Sequence, residues 1–330
     1  MMRRSGHHFA AMIGIALIGI LGYHFATTWH GSRAQVCILV MLWTIAATGL
    51  NTIQGLGGYP SLMQAAFYGG GAYGSAILLD HGHSAVVSSL LAIITTMIGG
   101  LLIGLVFGRT RGQYFAIGTL FAGAVLTLVM TNWRSVTGGP QGMPVDLAFS
   151  ETTTLRLIAA TMSLGLMVFY WLSRSSFGDR LRSIREDEDL AAHLGVPIAR
   201  VKLTALVISS VFGASAGVLL AQRDGIIAPT QFTFVKSFLM FVAIGLGGYG
   251  RLLTPLVGAF LVAGVPELVD LGPGVSQIGI GVLFIVVTLL VPGGVIGGLE
   301  SVVSAGRRAN RRHPLRRQTY DSPTSGVDAR

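Results

Sequence analysis

The chain has 330 residues, of which 52% are hydrophobic and only 11% charged, too little polar side chain to cover a soluble domain of that size. Its formal charge of +9 lies between apolar runs and forms no single basic patch, which argues against a nucleic-acid surface and for membrane topology. The lone cysteine, Cys37, sits in an apolar run and excludes a disulfide framework, while 46 glycines suit a bundle whose helices approach closely through small residues.

Crossing a hydrocarbon core of about 30 Å takes roughly 20 apolar residues in a helix. Ten runs of about that length follow one another, at 9–26, 34–50, 62–79, 85–107, 114–131, 155–172, 203–221, 237–248, 254–270 and 276–291. Two are weak. Residues 62–79 carry Gly69, Gly70, Gly71 and Gly74, and 237–248 is short, so either is expected to be broken or re-entrant. The first run follows a basic start, as in a signal peptide, but it is long for a signal core and no small-residue cleavage site follows before His30. It is read as a retained helix.

The fold expected is therefore all-α: a polytopic integral membrane helical bundle of about 10 transmembrane helices, within 8–10, with cytoplasmic N- and C-termini. Residues 1–8 form a cytoplasmic N-terminus, 9–291 the transmembrane domain with a polar cytoplasmic segment at 174–202, and 292–330 an Arg-rich disordered cytoplasmic tail near anionic lipid. On that arrangement 18 of the 23 Lys and Arg residues fall on the inner side. The five outside are Arg33, Arg134, Arg156, Arg223 and Lys236, a bias that orients the bundle. Gly55-Leu56-Gly57-Gly58-Tyr59 returns as Gly245-Leu246-Gly247-Gly248-Tyr249. This is either an internal duplication or a coincidence in a Gly-rich chain.

Exclusions narrow the function. A phosphate-binding loop needs Gly-Lys-Ser/Thr, and the only lysines, Lys202 and Lys236, stand in other contexts, so the chain is not expected to hydrolyse ATP. The spans hold few ionisable groups away from their ends, unlike a proton- or sodium-coupled carrier: Glu267 and Asp270 lie near an outer end, and His24 falls late in the first span. No nucleophile arrangement, carboxylate pair or metal spacing stands out, so no catalytic residue, bound cofactor or metal site is expected.

The longest polar break runs from Arg174 to Lys202. Leu181 and Ile184 share one helical face and Leu190 and Leu194 another, which predicts two short amphipathic helices. Asp187 is expected to cap the second, with Glu188 and Asp189 in its first turn, Gly195 at its stop and Pro197 preventing continuation. Taken alone, this segment reads equally as a solvated loop or as a protein-binding element.

The run from Gly178 to Gly195 resembles the cytoplasmic coupling segment of branched-chain amino acid ABC-transporter permeases, in particular the LivM type. Three further stretches agree in order: Gly57-Gly58-Tyr59-Pro60-Ser61-Leu62 leading to Ala65 through Tyr73; Tyr114-Phe115-Ala116-Ile117 through Asn132-Trp133 to Thr137-Gly138-Gly139-Pro140-Gln141-Gly142; and Leu246-Gly247-Gly248-Tyr249-Gly250 leading to Pro255 through Ala259. The likeness covers residues 45–292. It departs at Tyr59-Pro60 and Met63-Gln64, where the family usually has Gly-Gln and Gly-His, which leaves open whether an amino acid, urea or an amide is carried.

The resemblance implies a permease subunit in the bacterial cytoplasmic membrane, paired with a second, related permease. Two cytoplasmic ABC ATPases would use ATP and Mg, and a periplasmic or lipid-anchored binding protein would deliver substrate. It implies ATPase coupling through Arg180, Arg182, Arg185, Glu186, Asp187, Glu188, Leu190 and Gly195. It places the path or gate near Gly57, Gly58, Tyr59, Gln64, Gly69, Gly70 and Gly71, where close helix packing is the competing reading, and near Thr137, Gly138, Gly139 and Pro140, where a plain tight turn competes. A self-contained channel for a small neutral solute is the alternative from another class.

Overall fold

The computed structural model describes residues 2–29, 31–269, 278–282, 285–286, 289 and 293–298, with side chains from Ala11 onward. Its helices are α1 (Met2–Thr28), α2 (Ser32–Leu50), α3 (Gln64–Asp80), α4 (Ala85–Phe107), α5 (Gly112–Asn132), α6 (Arg134–Thr137), α7 (Glu151–Ser173), α8 (Ser176–Glu186), α9 (Glu188–His193), α10 (Ile198–Asp224), α11 (Phe234–Gly247), α12 (Thr254–Ala259) and α13 (Val265–Val269). Among the described residues seven helical runs are long and apolar enough to cross a membrane, and Thr254–Val269 is a shorter apolar one. The chain is a multi-pass helical membrane protein. Most of the expected span at 276–291, the tail at 292–330 and Asp270 lie outside the described residues.

Burial sorts these helices into two layers. The apolar stretch of α2 is 89% buried whereas that of α4 is 17% buried, so α2 is the axis of the bundle and α4 one of its lipid-facing walls. The walls present Leu90, Leu102, Leu105 and Val106 on α4 and Leu17, Ile20 and Leu21 on α1. Around α2 pack α10, α7, α1 and α12, and α10 packs in turn on α3 and α4.

The α3–α10 contact corrects the expectation that residues 62–79 are broken. Helix α3 is continuous. A Cβ on Gly71 would stand 2.1 Å from the Ala214 carbonyl oxygen, and one on Gly217 would stand 1.9 Å from that of Tyr68. With Gly213 facing Phe67, the Gly213-Ala214-Ser215-Ala216-Gly217 stretch of α10 lets two backbones touch, the membrane use of small residues four apart. Of the other α3 glycines, Gly70 and Gly74 face Thr96 and Ala92 of α4, and Gly69 faces Phe232 and Met130. Residues 237–248 likewise extend into a regular α11, preceded by the 3-10 turn Pro229–Phe232.

The irregular backbone lies elsewhere. A π-helical turn, Asn51–Leu56, ends α2, and another, Phe260–Gly264, joins α12 to α13. The second ends two residues before Pro266, whose ring cannot accept a regular α-turn before it. At the first, Asn51 donates Nδ2 to the Arg251 carbonyl at 2.9 Å and accepts the Gly250 N–H at 3.0 Å. The two Gly-Leu-Gly-Gly-Tyr stretches thus meet at one end of the bundle. Each ends a helix, and the second Gly of each pair takes a positive φ, +73° at Gly58 and +103° at Gly248.

That end also carries α8 and α9. At the other end, a 27-residue α10 away, the strands β1 (Met143–Pro144) and β2 (Ile226–Ile227) pair antiparallel, with Met143 opposite Ile227.

Candidate functional site

Helix α8 starts at Ser175, whose side chain accepts the Gly178 N–H. It buries Leu181 and Ile184 at 0% and 3% exposure, so its apolar face is anchored in the bundle. Asp187 ends α8 and caps α9, accepting the N–H groups of Asp189 and Leu190 at 2.9 Å each. The six-residue α9 closes at Gly195, whose φ of +82° allows the Gly195 and Val196 N–H groups to reach the Ala192 and Ala191 carbonyls. Only Ala191 of α9 is buried; Leu190 and Leu194 are 57% and 74% exposed. One helix grips the membrane domain and the next holds two leucines out of it.

Beside them lies a charge cluster built on one buried lysine. The Lys202 side chain is 1% exposed; its ammonium donates to the Thr110 carbonyl at 2.8 Å and to Glu188 Oε1 at 3.1 Å. It also lies 3.8 Å from the centroid of the Tyr59 ring. Arg111 adds a bond to Asp189 at 2.7 Å and a longer pair with Glu188 at 3.6 Å. Burial, the leading cause, and the Glu188 carboxylate together push the Tyr59 phenol above its usual pKa. The acidic run 186–189 is therefore divided: Glu188 and Asp189 hold α9 to α10 and to the turn after α4, while Glu186 stays exposed.

Arg185, also expected to face a partner, reaches back into its own chain. Its Nη1 donates to the Gly55 carbonyl at 2.6 Å, its guanidinium lies 5.4 Å from the Tyr249 ring centroid, and a Cβ on Gly58 would meet its Cγ at 2.8 Å. A single side chain on α8 thus touches both Gly-Leu-Gly-Gly-Tyr stretches. Arg182 bonds Asp179 at 2.9 Å and the Ser173 carbonyl, which tightens the α7–α8 corner. Arg180 is exposed.

Tyr59 is beneath Lys202 and edge-on to Phe115 at 5.7 Å. Gln64 is fully buried and ties three helices, donating to the Ala46 and Ser209 carbonyls and accepting from Ser209 Oγ. Protein atoms fill the space beside Gly57, Gly69, Gly70 and Gly71, from Ile53, Phe232, Thr96 and Ala214 respectively. The Thr137–Gly142 turn is a compact cap: Thr137 bonds the Met130 and Trp133 carbonyls, Pro140 sits in the 3-10 turn Gly139–Gln141, and a Cβ on Gly142 would stand 2.1 Å from the Ile227 carbonyl.

Two residues of the charge cluster, Lys202 and Arg111, are absent from the sequence-based candidates. Lys202 stands at the edge of the apolar run 203–221, where it reads as an ordinary flanking charge, and its burial in the first turns of α10 follows from its partners. Its partner Glu188 lies 14 residues away across the Gly195–Pro197 turn.

Comparison with known proteins places these features in a lineage. Residues 32–297 match the family described as branched-chain amino acid transport system / permease component. The chain is 31% identical to the high-affinity branched-chain amino acid transport system permease protein LivM of Escherichia coli K12, covering 85% of this chain and 74% of that one. It is 26% identical to the LivH permease protein of Salmonella typhimurium, over 78% of this chain and 92% of that one. It is 28% identical to the autoinducer 2 import system permease protein LsrC of an Enterobacter species, over 59% of each. No solved structure matches.

Proposed function

This chain belongs to the branched-chain amino acid transport system permease family, and from that premise we propose that it is the permease subunit of an ABC importer carrying branched-chain or related amino acids into the cytoplasm. ATP hydrolysis, with Mg, is the work of two partner ATPases, and a binding protein presents substrate from outside the bacterial cytoplasmic membrane. A second, related permease completes the pore; likeness to both LivM and LivH proteins supports a pair of common fold. About ten spans, with both termini and α8–α9 in the cytoplasm, accord with the 18 of 23 basic residues on that side.

The observation that carries this reading is the division of labour in α8–α9. Leu181, Ile184, Ala191 and the Lys202–Glu188 pair fix the two helices to the bundle, and Leu190, Leu194 and Glu186 are left facing out. Exposed leucines beside charges on a rigid element are the make-up of a docking surface. A partner that closes on ATP pushes on α9, α8 moves with it, and Arg185 carries the displacement to the ends of α2 and α11. The partner drives the change by binding one of the two arrangements more tightly.

The test is co-purification. The Leu190→Asp, Leu194→Asp double variant is expected in the membrane at normal level but without bound ATPase subunits, whereas retention of the ATPases would remove this surface from the docking site. Facilitated flux of urea or an amide through the chain alone in liposomes would favour a self-contained channel.

A further inference from the structure

At the end opposite α8–α9, two recesses of about 800 Å³ and 110 Å³ open beside the last turn of α10 and share Arg223 and Asp224 in their walls. The smaller reaches into the axis of the bundle, between α2, α3, α10 and α11, and is lined also by Lys236, Trp43 and Tyr68. Arg223 and Asp224 lie 3.4 Å apart with side chains only 22% and 27% exposed, and the Lys236 ammonium lies 5.6 Å from the Trp43 ring centroid. Among the described residues Lys236 has no carboxylate within ion-pair distance. Two buried polar atoms remain without a hydrogen-bond partner: the Tyr68 hydroxyl in the wall of the smaller recess and the Gln222 amide nitrogen in that of the larger. Tyr68 is 4% exposed.

Drawing three charged groups together in the wall of one small recess, with most of the Arg223 and Asp224 side chains covered, is costly for packing alone. The lining of the smaller recess carries two positive charges and one negative, with Glu267 acting on Lys236 from beyond that lining. A solute without charge, such as urea or an amide, offsets none of them. A solute carrying a carboxylate and an ammonium on adjacent atoms matches both signs, and its carboxylate finds the surplus positive charge.

We propose that this recess receives the charged end of an α-amino acid, with the carboxylate between Arg223 and Lys236, the ammonium against Asp224 and the Tyr68 hydroxyl as a further donor. The inference rests on the importer reading above and narrows it, taking the amino acid over urea or amides. It also assigns this subunit its own recognition of cargo, separate from that of a binding protein.

The experiment uses the complete transporter in proteoliposomes with tritiated leucine. Arg223→Gln and Lys236→Gln are each expected to lower uptake roughly tenfold to a hundredfold, the worth of a hydrogen bond to a charged group, with partial return in Lys236→Arg. Arg33→Gln, an exposed charge at the same end, is expected to transport as wild type. Uptake by Arg223→Gln and Lys236→Gln equal to that of Arg33→Gln overturns the site but leaves the importer reading standing. A wild-type transporter that moves no amino acid overturns both. A second measurement needs no variant: leucine is expected to protect Lys236 from an amine-modifying reagent, read by mass spectrometry, while 3-methylbutylamine and 4-methylpentanoate, each with half of the charge pair, protect it far less. Equal modification with and without saturating leucine contradicts the proposal.

Discussion

The two lysines of this chain stand at opposite ends of the bundle, each over an aromatic ring, and they differ in what else they touch. Lys202 lies 3.8 Å from the Tyr59 centroid, is bonded to Thr110 and Glu188, and is closed off from solvent. Lys236 lies 5.6 Å from the Trp43 centroid in the wall of an open recess, beside Arg223 and Asp224. The first has its full set of partners, so its charge serves to fasten α9 to the membrane domain. The second lines an open recess together with Arg223 and Asp224 and makes no ion pair among the described residues, which suits a group that meets a solute. The same residue type thus marks a joint at one end and a receptor at the other.

Substitutions break this contrast in graded steps. Glu188→Gln leaves Lys202 buried beside a neutral partner and is expected to cost about 3 kcal/mol, seen as a fall in the midpoint of thermal unfolding in detergent and as loss of uptake. Unchanged stability would show that Lys202 does not depend on the pair. Arg185→Gln removes a charged hydrogen bond to Gly55 and the contact with Tyr249, at about 1.5 kcal/mol. Its mark should be ATP hydrolysis that persists while leucine uptake falls, measured on one preparation. If both fall together, Arg185 acts in docking. Lys236→Gln is expected to shift stability by less than about 1 kcal/mol, because Lys236 makes no ion pair among the described residues, although uptake drops. The Leu190→Asp, Leu194→Asp change should move stability least, within about 0.5 kcal/mol for exposed positions.

The parts legible in the sequence are those governed by neighbours along the chain. The seven long apolar helices follow from apolar run length, and the α8–α9 break follows from Asp187, Gly195 and Pro197, each of which acts within a few residues of itself. The remaining features depend on distant partners. Gly69, Gly70 and Gly71 look like helix breakers until Ala214, Thr96 and Phe232 are seen against them. Arg185 is exposed, as its place in the charged run suggests, but its contacts with Gly55 and Tyr249 follow only from the meeting of the two Gly-Leu-Gly-Gly-Tyr ends. The recess at Arg223 was invisible for the same reason. Its walls come from four helices and the turn before α11, and in the sequence its two basic residues, Arg223 and Lys236, are only two of the few on the sparser side of the charge count.

The most direct test of the account is leucine accumulation in proteoliposomes loaded with ATP, comparing this chain alone with the same chain joined by its second permease, ATPases and binding protein. The account predicts uphill accumulation only in the complete assembly and only with ATP, and none by the chain alone. Leucine or urea equilibrating through the isolated chain without ATP would contradict it.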